Sequence, residues 1–95
     1  MANILRPGQA GTVESSDVMI TLAPAKPGSG LLLELTSPVA KQYGEQIQKV
    51  IIDTLTEKGI VDALIHANDK GALDCTIRAR LLAAIARASS QEVAQ

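Results

Sequence analysis

Two adjacent hydroxyls, those of Ser15 and Ser16, stand between the carboxylates of Glu14 and Asp17. Small polar residues of this kind are typical of a tight turn, which places their side chains at the surface. Without burial, the two carboxylates have no reason for the raised pKa that acid catalysis needs. These residues alone favour an ordinary polar turn. The alternative is an exposed acceptor for a covalently attached group, as a carrier domain requires.

The other reactive side chains are isolated in the sequence. His66 is the only histidine, and we expect it on a strand, facing solvent. No Gly-x-Ser-x-Gly nucleophile elbow accompanies it, which argues against a Ser-His-Asp triad. Cys75 is the only cysteine, so no internal disulfide forms, and one Cys with one His does not make a zinc site. The residues therefore predict neither a catalytic site nor a metal site.

Composition limits the class of protein. The chain has 95 residues and a net charge of −1, which argue for one domain and against a nucleic-acid binder. No apolar run reaches the length of a signal peptide or a membrane-spanning helix, so we expect a cytoplasmic protein that is not bound to a membrane. With no Phe, no Trp and one Tyr, aliphatic side chains must supply nearly all of the core.

Alternating apolar side chains predict three strands in the first part of the chain. Residues 1–10 show no clear period, and we interpret them as a flexible arm. Strands are expected at residues 11–14 and 17–23, joined by a tight β-hairpin at Ser15-Ser16. A third strand is expected at residues 31–36, where every second side chain is leucine.

Helical periodicity dominates the second part. Ser37 and Pro38 form a start signal, and Gly59 supplies a left-handed end to the first helix. A fourth strand is expected at residues 60–67, and a second helix from a cap at Asn68 or Asp69 to about Ala88, before a frayed tail over residues 89–95. The apolar face of the first helix comprises Val39, Tyr43, Ile47, Val50, Ile51 and Leu55. That of the second helix comprises Leu73, Ile77, Leu81, Ala84 and Ile85.

The predicted element order is β-β-β-α-β-α. This order indicates a small single α+β domain spanning residues 1–95. Its sheet has three to four strands, is largely antiparallel, and is covered on one face by the two helices.

Two long motifs resemble those of the citrate lyase acyl carrier proteins, the gamma subunits of citrate lyase. The first is Gly11-Thr12-Val13-Glu14-Ser15-Ser16-Asp17-Val18-Met19-Ile20. The second is Asp69-Lys70-Gly71-Ala72-Leu73-Asp74-Cys75-Thr76-Ile77-Arg78-Ala79-Arg80-Leu81, and Lys41-Gln42-Tyr43-Gly44 lies between them. The resemblance extends over nearly the whole chain, from about Gly11 to Ala88.

The resemblance implies a non-catalytic carrier that bears phosphoribosyl dephospho-coenzyme A on a serine through a phosphodiester. By position that serine is Ser15, with Ser16 as the neighbouring second hydroxyl. The implied partners are the alpha subunit (acyl transferase), the beta subunit (citryl lyase), a prosthetic-group transferase (holo-synthase) and an acetylating ligase. Beside Ser15, we expect Glu14 and Asp17 to repel the attached phosphodiester and to favour an extended arm.

Three other functions remain open at this point. Carrier subunits of malonate decarboxylase are the nearest relatives in function. A cofactor-free interaction subunit would use the second helix, which carries Arg78, Arg80 and Arg87, to organise a complex. A small enzyme would have to use His66.

Overall fold

The strands and helices follow the predicted β-β-β-α-β-α order along the chain. The computed structural model describes residues 3–89. Its elements are β1 (Gly8–Gly11), β2 (Val18–Ala23), β3 (Leu31–Thr36), α1 (Ala40–Glu57), β4 (Ala63–Asp69) and α2 (Asp74–Ser89). The predicted α+β class and the bounds of β3 are confirmed.

The four strands form one mixed sheet in the order β1-β2-β4-β3. Strand β2 pairs antiparallel with both β1 and β4, whereas β3 and β4 are parallel. Two parallel neighbours need a crossover connection, and α1 supplies it. The sheet is therefore largely antiparallel, as predicted.

Both helices pack on the same face of the sheet. Buried side chains alternate along β2 and β4. Helix α2 packs against β1 and β2, α1 packs against β3, and the two helices contact each other. The side chains that form the core are those of Val18, Ile20, Leu22, Ile47, Ile51, Leu55, Ala63, Ile65, Ala67, Ile77, Leu81, Ala84, Ile85 and Ala88, with further contributions from Ile4, Ala10 and Ile60. No helix among residues 3–89 is long and apolar enough to cross a membrane.

The amino-terminal segment corrects the predicted flexible arm. Ile4 is buried, and the amides of Leu5 and Arg6 both donate to the carbonyl of Ala88, at 2.9 and 3.1 Å. Residues Gly8–Gly11 then pair with β2 as an edge strand. Two of these four residues are glycine, so the strand lacks the apolar alternation that identifies strands in a sequence. The strand expected at residues 11–14 is therefore wrong, because β1 lies earlier in the chain and ends at Gly11.

Other boundaries shift by a few residues. Strand β4 ends at Asp69, and α2 begins only at Asp74, so neither Asn68 nor Asp69 caps it. Two residues expected on the buried helix faces, Tyr43 and Leu73, are instead exposed by 55 % and 70 %. Tyr43 lies in the first turn of α1, and Leu73 precedes the first residue of α2. Of the predicted tail, Ser89 is the last residue of α2, and residues 90–95 lie outside the described residues.

The end of α1 is a Schellman motif at Gly59. The amide of Gly59 donates to the carbonyl of Thr56 at 3.0 Å, and the amide of Ile60 donates to that of Leu55 at 3.0 Å. Gly59 has a φ of 77°, as its predicted role requires, and Ile60 and Leu55 are both buried. The predicted left-handed helix end is confirmed.

The variant Gly59→Val is expected to lower the free energy of unfolding by about 1 kcal/mol or more, because a β-branched side chain is poorly tolerated at positive φ. Urea denaturation measures the change. Gly44→Ala is the matched control within the same helix: its Cβ would meet only Ala40 Cβ, at 3.8 Å. That control should stabilise the protein by roughly 0.5–1 kcal/mol. Equal midpoints for Gly59→Val and the unmodified protein would contradict the prediction.

Candidate functional site

The two serines occupy the centre of a turn at the tip of the β1–β2 connection. The amide of Asp17 donates to the carbonyl of Glu14 at 3.2 Å, which places Ser15 and Ser16 at the two central positions. Both are exposed. The connection spans residues 12–17, longer than the tight hairpin predicted, because β1 lies earlier in the chain than expected. The predicted exposure of both hydroxyls is confirmed. This turn, residues 14–17, is called the acceptor turn below.

The acceptor turn continues into a β-bulge against the residue that follows β4. Two residues, Ser16 and Asp17, oppose the single residue Lys70. The Ser16 amide donates to the Lys70 carbonyl at 2.8 Å, and the Lys70 amide donates to the Asp17 carbonyl at 2.9 Å. Ser16 has a φ of 65°, the left-handed conformation that the first residue of such a bulge adopts and that glycine favours. Bulges of this kind redirect side chains next to functional sites.

Asp17 is the most heavily bonded side chain of the acceptor turn. Arg80 of α2 donates from Nε to Oδ1 and from Nη2 to Oδ2, both at 2.9 Å. The hydroxyl of Thr12 donates to Oδ2, and the amide of Val18 to Oδ1, each at 2.7 Å. The Asp17 side chain is only 13 % exposed. One carboxylate therefore ties both limbs of the β1–β2 connection to α2.

These donors correct the expected repulsion around Ser15. The Arg80 guanidinium, the Thr12 hydroxyl and the Val18 amide hold the pKa of Asp17 well below its usual range. Asp17 is therefore ionised, but its charge is paired with that of Arg80. Only Glu14 remains as an exposed carboxylate beside Ser15. The expectation that two free carboxylates flank the serine is wrong for Asp17, because a helix 63 residues away supplies its partner.

The depressed pKa of Asp17 predicts an acid-sensitive contribution to stability. An unfolded chain protonates this carboxyl near pH 3.9, whereas the folded chain protonates it only at lower pH. Below about pH 4 the unfolded state therefore binds more protons, and the free energy of unfolding falls as the pH falls. Thermal midpoints measured from pH 7 to pH 2 should show the unmodified protein losing its advantage over Asp17→Asn in the acid range.

Glu57→Gln is the control for this measurement. Arg78 lowers the pKa of Glu57 in the same way but at the outer surface between the helices, far along the chain from the acceptor turn. The stability that the Glu57 carboxylate contributes, and that acid removes, should therefore still be present in Asp17→Asn. Parallel curves for Asp17→Asn and the unmodified protein would contradict the prediction.

A fully buried carboxylate, that of Asp69, supports the segment that holds the acceptor turn. Asp69 is fully buried and accepts the Ser37 hydroxyl at 2.8 Å, the Gly71 amide at 3.1 Å and the Ala72 amide at 2.9 Å. It therefore joins the end of β3 to the loop that begins with Lys70. Ser37 also accepts the Val39 amide at 3.1 Å, but it does not cap α1. The N-cap is Val39 and the helix begins at Ala40, so the predicted cap at Ser37 with Pro38 as the first helical residue is wrong.

The acceptor turn, the Asp69 cluster and the starts of both helices share one end of the molecule. The pairing of Val18 with Asp69 places the beginning of β2 beside the end of β4. Because α1 follows β3 and α2 follows β4, and these strands are parallel, both helices begin at this end. A groove of about 370 Å³ opens there between α1 and the β4–α2 loop, and exposed Tyr43 and Leu73 line it.

The remaining chemical candidates lie away from the acceptor turn. His66 is exposed on the sheet face that the helices leave open, where it pairs in register with Thr21 and Glu34. Cys75 is exposed in the first turn of α2. Within residues 3–89, no three His, Cys, Asp or Glu side chains lie close enough to hold a metal ion. Thr12, Lys70 and Arg80 are the residues of the site that sequence reasoning missed, since nothing in their spacing brings them together.

The comparisons of this chain with known proteins name subunits of two enzymes. The family model described as Malonate decarboxylase delta subunit (MdcD) matches residues 6–88. The citrate lyase acyl carrier protein of Lacticaseibacillus casei (strain BL23) is 54 % identical over 89 residues, which cover 94 % of this chain and 86 % of that protein. That of Oenococcus oeni (strain ATCC BAA-331 / PSU-1) is 54 % identical over 83 residues, covering 87 % of this chain and 84 % of that protein.

A solved structure has the same fold. It is a chain in a crystal structure of a Pseudomonas malonate decarboxylase hetero-tetramer in complex with malonate, with a TM-score of 0.69. The match covers 90 % of this chain and 89 % of that one, at 23 % identity.

A small domain that presents an exposed hydroxyl on an anchored turn has the design of a carrier protein, the class that covalently holds a group for other enzymes. The chain belongs to the family of the citrate lyase acyl carrier proteins. By class it is a non-catalytic carrier subunit of an enzyme complex.

Proposed function

We propose that this chain is the acyl carrier subunit of citrate lyase and carries phosphoribosyl dephospho-coenzyme A on Ser15 through a phosphodiester. The observation that carries the proposal is the exposed Ser15 at the tip of a turn that is anchored on both sides. Homologues named citrate lyase acyl carrier protein support the citrate lyase assignment. The serine is chosen because it stands in the motif that resembles the modified segment of that family.

The surroundings of Ser15 fit an anionic phosphodiester. Ser15 is exposed, so an attached group meets no packed neighbour. The charge of Asp17 is paired with Arg80, which leaves Glu14 as the only free carboxylate in the acceptor turn. Both helices also direct their amino-terminal, partially positive ends toward this end of the molecule. Ser16 also has an exposed side chain, but its backbone is fixed in the bulge with Lys70, and Ser15 is chosen by its position in the motif.

When attached, the group supplies a terminal thiol that carries acetyl and citryl as thioesters. The chain's own part is to hold the attachment point at the surface, within reach of the alpha and beta subunits, the holo-synthase and the acetylating ligase. Such a carrier would work in citrate fermentation, and we place it in the cytoplasm, which its single cysteine favours.

Reconstitution tests this proposal. The loaded chain is combined with the alpha and beta subunits of citrate lyase from Lacticaseibacillus casei, and oxaloacetate formation from citrate is followed. We expect turnover with the loaded chain and none with the unloaded chain. The carrier of L. casei is the positive control. Turnover with that carrier but not with the loaded chain would refute the citrate lyase assignment.

The second candidate is the carrier subunit of a malonate decarboxylase. Two observations favour it: the description of the matching family model and the shared fold with a chain of the Pseudomonas hetero-tetramer. The same loaded chain, combined with the other subunits of that enzyme, would then release carbon dioxide from malonate. Malonate turnover without citrate turnover would select this candidate.

A further inference from the structure

The acceptor turn is joined to α2 by an ion pair between Asp17 and Arg80. Arg80 reaches it from α2 and places two nitrogen atoms on the Asp17 carboxylate. The same carboxylate also accepts the Thr12 hydroxyl from the other limb of the β1–β2 connection. The pair therefore closes the base of the connection while Ser15, at the tip, stays exposed.

A second arginine on the same helix shows what an ordinary pair looks like here. Arg78 also makes two bonds to one carboxylate, that of Glu57, at 3.1 and 2.8 Å. Its side chain is 42 % exposed and that of Glu57 is 53 % exposed, and the pair joins α1 to α2 at the surface. Asp17, at 13 %, is far less exposed and has additional donors. The two pairs thus differ in what they hold, a loop tip in one case and two helices in the other.

The bulge explains why the direction of Asp17 matters. Val18 points into the core, so regular alternation along β2 would turn Asp17 toward the open sheet face, away from α2. The additional residue in the bulge allows the carboxylate to meet Arg80 instead. In return, the ion pair holds Ser16 in its left-handed conformation, which serine adopts less readily than glycine.

We propose that Arg80 and Asp17 are positioning residues for the covalent modification of Ser15. The inference rests on the proposed function, because it assigns the ion pair to the loading of the arm. A loading enzyme must align one serine hydroxyl with the phosphorus atom of an activated phosphoric anhydride: the serine oxygen forms the new P–O bond, the P–O bond to the departing pyrophosphate breaks, and a base of the loading enzyme takes the hydroxyl proton. In such a reaction a displacement of about 1 Å costs up to about 100-fold in rate. A turn fixed at its base presents Ser15 in one orientation, while the backbone of Ser16 is hydrogen-bonded in the bulge.

Loading kinetics with matched variants test the proposal. Unloaded protein is incubated with the citrate lyase holo-synthase and the activated form of phosphoribosyl dephospho-coenzyme A, and intact mass follows the product. We expect Arg80→Ala and Asp17→Asn to lower kcat for loading about 10- to 100-fold with little change in KM. Arg80→Lys should recover part of the loss, and Arg78→Ala should load at the unmodified rate. Equal rates for Arg80→Ala and Arg78→Ala would overturn the proposal.

Amide hydrogen exchange separates this proposal from the proposed function. In the unloaded protein, Arg80→Ala and Asp17→Asn should speed exchange at Ser16 and Asp17, while Arg78→Ala should leave both amides unchanged. If the unmodified protein does not load but these exchange changes appear, the proposed function fails and the ion pair still orders the turn. If Arg80→Ala leaves exchange unchanged, the positioning role is wrong whatever the loading result. Asp17→Asn keeps the side-chain size, so it supplies the answer if Arg80→Ala does not fold.

Discussion

The variant Ser15→Ala is expected to abolish covalent loading and to leave the fold intact. The exposed Ser15 hydroxyl makes no side-chain hydrogen bond within residues 3–89, and surface substitutions of this kind change stability by at most about 0.5 kcal/mol. Intact mass after incubation with the holo-synthase should show no added group, and the thermal midpoint should match that of the unmodified protein. Phosphopeptide mapping of loaded protein across residues 11–24 should place the group on Ser15.

Two variants of Ser16 are the controls for this prediction. Ser16→Ala removes the neighbouring hydroxyl and should load like the unmodified protein. Ser16→Gly relieves the positive φ of 65°, so it should load as well and gain up to about 1 kcal/mol of stability. If Ser15→Ala loads and Ser16→Ala does not, the acceptor is Ser16. If both load, the acceptor turn is not the attachment site.

The variant Gly11→Ala is expected to have the largest effect on stability, a loss of about 3 kcal/mol or more. Gly11 ends β1 at a φ of 103°, and a Cβ there would lie 1.7 Å from the Val18 carbonyl oxygen. That oxygen belongs to backbone at the start of β2, so it cannot move aside without breaking the β1–β2 pairing and the base of the acceptor turn. Urea denaturation measures the loss, and loading should fall in parallel.

Gly28→Ala separates steric overlap from backbone strain. Gly28 also has a positive φ, 89°, but a Cβ there has no neighbour within 4 Å. Its loss should therefore be only about 1 kcal/mol, the cost of an unfavourable backbone conformation alone. Similar losses for Gly11→Ala and Gly28→Ala would show that the close approach to Val18 is not what excludes a side chain at residue 11.

Elements with a local signal in the sequence were predicted well. The alternation in residues 31–36 matches β3, and Gly59 ends α1 as its left-handed conformation requires. The apolar faces of the helices are correct where they meet the sheet, at Ile47 and Ile77 for example. They fail at Tyr43, in the first turn of α1, because helical periodicity does not reveal which turns of a helix the rest of the fold covers.

The amino-terminal segment and the partners of Asp17 were not predictable in this way. Strand β1 forms because its backbone pairs with β2 and packs on α2, and neither contact requires an apolar pattern. Arg80 had the appearance of an arginine on a solvated helix surface, and only its distance from Asp17 in space identifies its role.

The sequence by itself determined the α+β element order, the exposed serines at a polar turn and the family to which the chain belongs. Each of these depends on residue types within a few positions of one another, where periodicity, capping and turn preferences act. Only the tertiary structure decided that the charge of Asp17 is paired with that of Arg80 and that Ser16 lies in a bulge opposite Lys70. These contacts join segments more than 50 residues apart, so they exist only after strand pairing and helix packing have brought the segments together.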